Sequence, residues 1–560
     1  MIKRKAAKHL IFIGVAWPYA NGSLHLGHVA SFMPADFLAR YFRLKGHEVL
    51  MVSGSDCHGT PIEVRAEHEK ITPQEVVAKY DREFNRTLVK GLDFSYDLFT
   101  KTAAPFHYKQ VQDLFLDLRK KSFIYKKVQQ LPYCEKCQRF LPDRYVEGEC
   151  PKCDFPDARG DQCDNCGSIL DAKELLGPRC KICGEKPTWK DSAHFFLKLS
   201  AFEKKLLAFV KKSTGWRRNA YNFTLKFLEN GLLDRAITRD SEWGIPLPAE
   251  VSVSPAGRLV KEGDTFKGKT IYVWFEAVSG YLTASQEYSR KIGNPDYWKN
   301  FWQNKRCTHY YVHGKDNIPF HSVVWPAILM GLGKLNLPDR IISSEYLTFE
   351  GRQFSKSRRW GVWLPEFLEK YDPETLRYYL GVNGPESADA DFSWKEYETK
   401  INTELIGKLG NFVNRVLSFT QNNFNSAVPK LHNPDKIDKN ILENCEKLFG
   451  AVGKLIEETK FQAALKEIIG FSEDGNRYID AKEPWKTLNA DQQKTANTLY
   501  VCLQAISALQ LAISPFLPRT AQKIQKQLNI PERKEWKFHA IPASHQIGHP
   551  KPLFEKIEIK

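Results

Sequence analysis

Four Cys-x-x-Cys pairs crowd into one stretch of the chain: Cys134/Cys137, Cys150/Cys153, Cys163/Cys166 and Cys180/Cys183, with 12, 9 and 13 residues between successive pairs. They take eight of the 12 cysteines and leave Cys57, Cys307, Cys445 and Cys502 scattered. Paired thiolates at this spacing are knuckles for tetrahedral Zn²⁺, and four sulfurs per ion make two structural zinc sites. A disulfide framework is the competing chemistry, but it belongs to small secreted chains without a core of their own. This chain has 560 residues, 42% of them hydrophobic, which is material for three or four domains. The knuckles are therefore expected to form a compact module set into something larger. Met1-Ile2-Lys3-Arg4-Lys5 precedes an apolar segment that Pro18 breaks too early for a signal peptide. No apolar run approaches the ~20 residues of a membrane span, so the expected location is the cytoplasm, with no membrane partner.

The larger framework begins before the knuckles. His9-Leu-Ile-Phe-Ile-Gly-Val-Ala16 is apolar without alternation, which reads as a parallel strand buried on both faces. A helix follows from about His28 to Lys45, with Val29, Phe32, Met33, Phe37 and Tyr41 on one side, and then a second strand, Glu48–Ser53. Strand, helix and strand in this order start an α/β parallel sheet. The stretch from Ile62 to about Arg119 reads as helical, and Tyr125 to Trp189 as the inserted module. Strand signals return at Thr270–Phe275, His309–His313 and Arg340–Ser343, so the sheet is expected to resume there.

Beyond Trp394 the periodicity becomes helical: Ile406, Leu409, Phe412, Val413, Val416 and Leu417, then Phe461, Leu465, Ile468 and Ile469, then Leu499, Leu503, Ile506 and Leu509. The division that follows is 1–120 and 231–345 for the two halves of a Rossmann-like catalytic domain, 121–230 for the zinc insert, 346–394 for a connecting segment and 395–560 for an all-α bundle with its extension. Lys plus Arg number 82 against 66 Asp plus Glu, a net +16. That surplus favours a polyanionic partner over plain solubility charge, since it comes with 12% aromatic residues.

Two constellations carry chemistry. After the first strand comes Pro18-Tyr-Ala-Asn-Gly22-Ser-Leu-His25-Leu-Gly27-His28, two imidazoles at i and i+3 where a helix opens. Helix N-terminal N–H groups attract phosphate oxygens, imidazoles add donors for charge developing on a phosphoryl group, and Gly27 allows close backbone approach. Most His-x-x-His pairs in proteins are structural; the strand-to-helix turn is what distinguishes this one. The second is Gly351-Arg-Gln-Phe-Ser355-Lys356-Ser357-Arg358, hydroxyls flanking a lysine in a loop that suits an ammonium on phosphate. Taken alone, it reads equally as an exposed basic turn.

At these motifs the chain resembles the class I aminoacyl-tRNA synthetases, whose signatures are HIGH and KMSKS. Gln353 stands where the second signature has its first lysine, leaving Arg352, Arg358 or Arg359 to supply that charge beside Lys356. Within the class the chain is similar to the methionyl-tRNA synthetases along nearly its whole length. The match runs through Ala16–His25, Ser55–Pro61, Tyr272–Ala277, Gly280-Tyr281 and Gly314–His321. The resemblance implies catalysis by His25, His28 and Lys356, with Gly27, Ser355 and Ser357 also at ATP. It implies a methionine pocket of Ala16, Trp17, Tyr19, Trp274, Ala277, Tyr281, Phe320 and His321, with Asp56 on the α-ammonium. Trp17 and Val278 depart from residues of better-known bacterial members. Thioethers pack well on aromatic rings, and a tyrosine hydroxyl such as that of Tyr281 can donate weakly to sulfur. Near strands, such aromatics are more often ordinary core.

The resemblance further implies anticodon contacts at Asn411, Arg415, Pro484 and Trp485, with Pro484 starting a helix and freeing Trp485 to stack on a base. A Trp buried at a helix junction is the plainer alternative. For zinc it implies a nested arrangement, 150/153/163/166 inside 134/137/180/183, although sequential pairing also satisfies the spacing. The implied substrates are L-methionine, ATP with Mg²⁺, and tRNA(Met). A nucleotidylyltransferase would share the histidine turn but not need the helical tail; a zinc RNA-binding module would leave both motifs idle. The last thirty residues are expected to fold back over the catalytic domain through Phe538, Leu553 and Phe554. A monomer is expected, with any extra tRNA affinity supplied by a separate protein.

Overall fold

The computed structural model describes residues 8–142, 145–160, 163, 165–166, 170–252, 268–355 and 359–559. Leu10–Val15 is the middle strand of a five-stranded parallel sheet. Glu48–Ser55 and then Leu98–Lys101 lie on one side, Cys307–Gly314 and then Arg340–Ser344 on the other. Ile13 pairs with both Met51 and Tyr310, and Ile11 to Val15 are buried throughout, which is why the run shows no polar alternation. The chain winds outward in one direction, then returns after the insert to the opposite side of the first strand. Strand order therefore reverses beside Leu10–Val15, and open α/β sheets form their ligand crevice at the carboxyl end of such a strand. Helix Leu26–Leu44 makes the first crossover and buries Val29, Phe32, Met33, Phe37 and Tyr41 as expected.

Two segments correct the sequence reading. Thr270–Phe275 is not a strand of this sheet: pairing stops at Ile271, in a separate three-stranded antiparallel sheet, and helix Val273–Lys291 begins two residues later. The aromatic run serves that helix, where Trp274, Ala277 and Tyr281 recur at i, i+3 and i+7 on one face. Leu98–Lys101 lies in the stretch read as helical yet forms the fifth strand. Only Leu98 of its four residues is buried, too little to register as a pattern.

The insert rises on a long antiparallel ribbon, Ile124–Cys134 with Thr188–Leu197. At its far end the knuckles enclose a small core of their own, including Leu141, Tyr145, Val146 and Leu175. Helices Asn411–Asn423, Lys436–Glu457, Phe461–Lys482, Gln492–Ala512 and Pro518–Leu528 form the bundle. Its core is continuous with the catalytic one: the Phe37 ring lies 5.7 Å from Phe461 and 4.8 Å from Phe516. In the tail, Trp536 makes the contact to the catalytic domain, its backbone N–H donating to Leu44 O at 2.9 Å and its ring meeting Tyr41 edge-on. Phe554 instead packs by Gly410 and beneath Lys523, on the bundle, and Phe538 is half-buried. No helix among the described residues is long and apolar enough to cross a membrane.

Candidate active site and metal centres

The segment leaving the first strand is laced across the carboxyl end of the sheet. Ala16 N–H donates to Val312 O at 2.9 Å, Asp56 N–H to Pro18 O at 2.8 Å and Ala20 N–H to Asp56 O at 2.8 Å. His25 then caps helix Leu26–Leu44, and its N–H donates to Nδ1 of His28 at 3.2 Å. An Nδ1 that accepts leaves the proton of neutral His28 on Nε2, on the outer edge of the ring. The two imidazole centroids are 3.8 Å apart. A Cβ on Gly27 would come within 3.0 Å of the His25 ring, so this glycine makes room for that ring as well as for any ligand.

The second motif reaches the first through a residue the sequence did not single out. Phe354 stacks face to face on His25, with centroids 4.6 Å apart and planes 10° off parallel. Ser355 and Trp360 exchange both backbone hydrogen bonds, at 2.8 and 3.0 Å. Lys356, Ser357 and Arg358 fall outside the described residues. Arg352 lays its guanidinium over Trp360 at 5.2 Å, and Gln353 is exposed.

The residues expected around methionine gather beside this turn. Tyr19 bridges Asp56 in parallel register and meets Trp274 edge-on at 6.0 Å. Trp274 stacks on Phe320 at 3.7 Å, and Ala277 is buried one turn along from Trp274. Trp17 wedges between Gly54 and Gly280, where any Cβ would meet its ring at 2.4 and 2.8 Å. His321 Nδ1 donates to Asn317 O at 2.8 Å, so its Nε2 accepts the Tyr281 hydroxyl at 2.7 Å. Burial holds that imidazole neutral, its pKa pushed down to about 4. The Tyr281 hydrogen is thereby committed to His321, which corrects the expectation that it donates to sulfur. Beyond the Trp274–Phe320 stack a cavity of about 600 Å³ opens toward the ribbon, lined by Phe196, Phe227 and Tyr272 among others.

Asp56 is 2% exposed. Burial, and then the charge of nearby Glu276, push its carboxyl well above the ordinary carboxylate range, and among the described residues no cationic side chain offsets them. Sequence spacing gave no sign of Glu276, which contacts His58 and His107 from a distant part of the chain.

The eight knuckle cysteines form two sets, Cys134/Cys137/Cys180/Cys183 and Cys150/Cys153/Cys163/Cys166, each with its sulfurs within 4.8 Å of one another. The nested pairing is thus the one the fold assembles. Sulfur–sulfur separations of 3.4 Å (Cys134–Cys183), 3.9 Å (Cys137–Cys180), 3.9 Å (Cys150–Cys166) and 3.6 Å (Cys153–Cys163) bracket the ~3.8 Å edge of a tetrahedron with 2.3 Å Zn–S bonds. They are far from the ~2.05 Å of a disulfide.

In the bundle, helix Phe461–Lys482 stops and Pro484 opens the next one at its first position. Trp485 is 43% exposed, not buried at the junction, and the Arg415 guanidinium sits 4.7 Å from its ring centroid. Arg415 also pairs with Asp480 at 2.7 Å, and exposed Asn411 hydrogen-bonds Asn476 at 3.4 Å. Arg415 and Trp485 thus share one surface, with Asn411 one turn away on the same helix as Arg415, whereas Pro484 is buried beneath Trp485's helix start.

Comparison with known proteins decides the family. The family described as "tRNA synthetases class I (M)" matches residues 11–417, and "Anticodon binding domain of methionyl tRNA ligase" matches residues 428–560. A methionine–tRNA ligase of Bacillus cereus is 46% identical over 98% of this chain and 97% of its own length. The chain belongs to the class I methionyl-tRNA synthetase family. A Bacillus anthracis member is 45% identical over the same shares. The fold is that of Mycobacterium tuberculosis methionyl-tRNA synthetase, solved in complex with methionyl-adenylate, with a TM-score of 0.78 at 24% identity over 98% of this chain and 99% of that one.

Proposed function

We propose that this chain is an ATP-dependent methionine–tRNA ligase. It condenses L-methionine with ATP to methionyl-adenylate and pyrophosphate, then transfers methionine to the 3′-terminal adenosine of tRNA(Met). The observation that carries this reading is a buried carboxylate, Asp56, that no cationic side chain among the described residues offsets, set between an aromatic pocket and the histidine turn. A free α-ammonium is the missing charge, and the rings of Trp274 and Phe320 suit a thioether. Methionine-dependent ATP–pyrophosphate exchange tests it: exchange with another amino acid in preference to methionine, or none, rejects the reading.

The methionine carboxylate attacks the α-phosphorus, and the bond to the pyrophosphate oxygen breaks. Negative charge grows on the non-bridging oxygens, where His28 Nε2–H, His25 and the N–H groups opening helix Leu26–Leu44 donate. Lys356, with Ser355 and Ser357, holds the leaving pyrophosphate. Mg²⁺ would be bound chiefly to ATP. There it would neutralise charge on the triphosphate. In the second step the adenosine hydroxyl attacks the adenylate carbonyl and AMP leaves, with the 600 Å³ cavity giving the acceptor end room. We assign 1–120 and 231–345 to catalysis, 121–230 to the zinc insert, 346–394 to the lysine loop and stem contact, and 395–560 to the anticodon.

Two expected results follow from the peripheral sites. Metal analysis should give two zinc ions per chain, and Cys163→Ser should retain one, since the outer set shares no ligand with the inner. One zinc in the unmodified chain would mean that a set stays open. Trp485→Ala should weaken tRNA in aminoacylation by about ten-fold, one base stack at ~1–3 kcal/mol, and leave methionine-dependent exchange unchanged. Equal loss in both assays would assign Trp485 to the core instead.

A further inference from the structure

Behind Asp56 lies a buried polar cluster that adenylate chemistry does not use. Glu276, on helix Val273–Lys291, is fully buried, and its Oε1 accepts from His58 Nδ1 at 2.7 Å. Its Oε2 lies 3.4 Å from His107 Nε2 and has no hydrogen bond. His58 Nε2 accepts the Tyr108 hydroxyl at 2.8 Å, and His107 Nδ1 meets the Thr283 hydroxyl at 2.7 Å. The His58 backbone N–H points back at Asp56 Oδ1, at 3.5 Å. Asp56, His58, His107 and Glu276 are all 2% exposed or less.

Two buried carboxylates close together are costly unless the space beside them is to hold positive charge. Glu276 also shares its helix with Trp274, Ala277 and Tyr281. Through His58 it fastens the Asp56 loop to the wall of the side-chain pocket.

We propose that Glu276, held by His58 and His107, is a positioning residue for methionine: without touching the substrate, it supplies the second negative charge of the ammonium subsite and fixes the Asp56 loop to the pocket helix. The proposal rests on the reading that Asp56 takes the α-ammonium. It makes recognition of the amine depend on a two-carboxylate field, so an acid lacking the amine should gain nothing from Glu276.

The same geometry sets a pH signature. The titratable groups around Asp56 are Tyr19, which bridges it, Cys57 and His58 on its own loop, and Glu276 and Tyr281 on the pocket helix. His107 and Tyr108 on helix Pro105–Lys120 lie behind Glu276 and His58, and Asp81, bonded to Ser55 at 2.8 Å, pairs with Lys101 at 3.6 Å. Glu276 raises the proton affinity of Asp56. As pH falls Asp56 takes up a proton and methionine affinity drops; without the Glu276 charge, that drop should come at lower pH.

The test is equilibrium binding of L-methionine and of 4-(methylthio)butanoate, its des-amino analogue, to the full chain across pH. Glu276→Gln should weaken methionine by about ten-fold or more at neutral pH, since at an effective dielectric near 20 a unit charge is worth that much at about 12 Å and more when nearer. Its acid limb should move to lower pH, while the analogue's affinity stays within about two-fold of wild type. Glu276→Asp, which keeps the charge, should restore the limb to its original position, and His107→Gln should weaken methionine selectively if the Gln variant fails to fold. Equal weakening of both ligands with an unmoved acid limb, or no weakening, overturns the proposal. Asp56→Asn separates the two readings: wild-type methionine affinity in that variant rejects the ammonium site itself.

Discussion

His28→Ala is expected to slow methionyl-adenylate formation by a hundred-fold or more while methionine binding stays near its wild-type affinity. Removing one preorganised donor to developing phosphoryl charge costs about 3 kcal/mol in the transition state. His28 qualifies as such a donor because its Nδ1 is occupied by the His25 N–H at 3.2 Å, which directs the remaining proton outward on Nε2. The same bond raises a competing explanation, since alanine also removes the acceptor that helps start helix Leu26–Leu44. His28→Glu distinguishes the two. Glutamate at the third helical position can accept the N-cap N–H and restore the helix start, but it has no proton to give and adds a negative charge. If His28 acts as a donor, the Glu variant is no better than Ala. If it acts only by ending the turn, Glu recovers most of the rate. Single-turnover pyrophosphate release read beside methionine titration separates the outcomes, and exchange within about three-fold of wild type in His28→Ala would remove it from the chemistry.

What could be read in the sequence was whatever repeats locally. Leu10–Val15 and Glu48–Ser55 announce themselves because both faces are buried and no polar residue interrupts them. The bundle helices do so through apolar residues every third or fourth position. Tyr272–Phe275 misled because β-branched and aromatic residues suit a strand, while tertiary packing placed Val273 in the first turn of a helix. The Phe354–His25 stack and the Glu276–His58–His107 cluster join residues far apart in the chain, and no spacing rule reports such contacts. Zinc pairing was open for the opposite reason. The spacing was fully visible, but both arrangements satisfy it; the ribbon brings Cys134 and Cys183 together and so selects the nested one.

The junction of the catalytic domain and bundle carries the other large effect. Arg377 on helix Pro373–Asn383 is fully buried, a position that apolar neighbours such as Leu376 and Tyr378 would not have signalled. Its Nε donates to Phe516 O at 2.7 Å, Nη1 to Leu92 O at 3.0 Å, and Nη2 to Asp36 Oδ2 at 2.6 Å. It therefore ties the first crossover helix, the loop after Gly91 and the turn that follows helix Gln492–Ala512 to one guanidinium. Burial alone would raise the Asp36 carboxyl, but Arg40 and Arg377, with hydrogen bonds from Ser95, outweigh it and hold the group far below the usual range. The sign follows: a depressed folded-state pKa contributes stability above the unfolded value near 3.9, and that contribution fades as acid protonates Asp36. Arg377→Met keeps much of the volume but takes this donor from the carbonyls of Leu92, Pro515 and Phe516 and leaves Asp36 with Arg40 as its one cation. Breaking a buried pair from one side costs about 3–5 kcal/mol, and a stranded buried carbonyl about 1–3 kcal/mol. The denaturation midpoint should fall accordingly at pH 7, and the gap to wild type should narrow in acid, where Asp36 no longer needs its partner. Arg377→Met with Asp36→Asn should cost less than the sum of the two single changes, because the second removes the charge that the first strands. A loss below about 1 kcal/mol at pH 7, or strict additivity, would mean that the apolar core from Phe37 to Phe461 holds the two domains together without the pair.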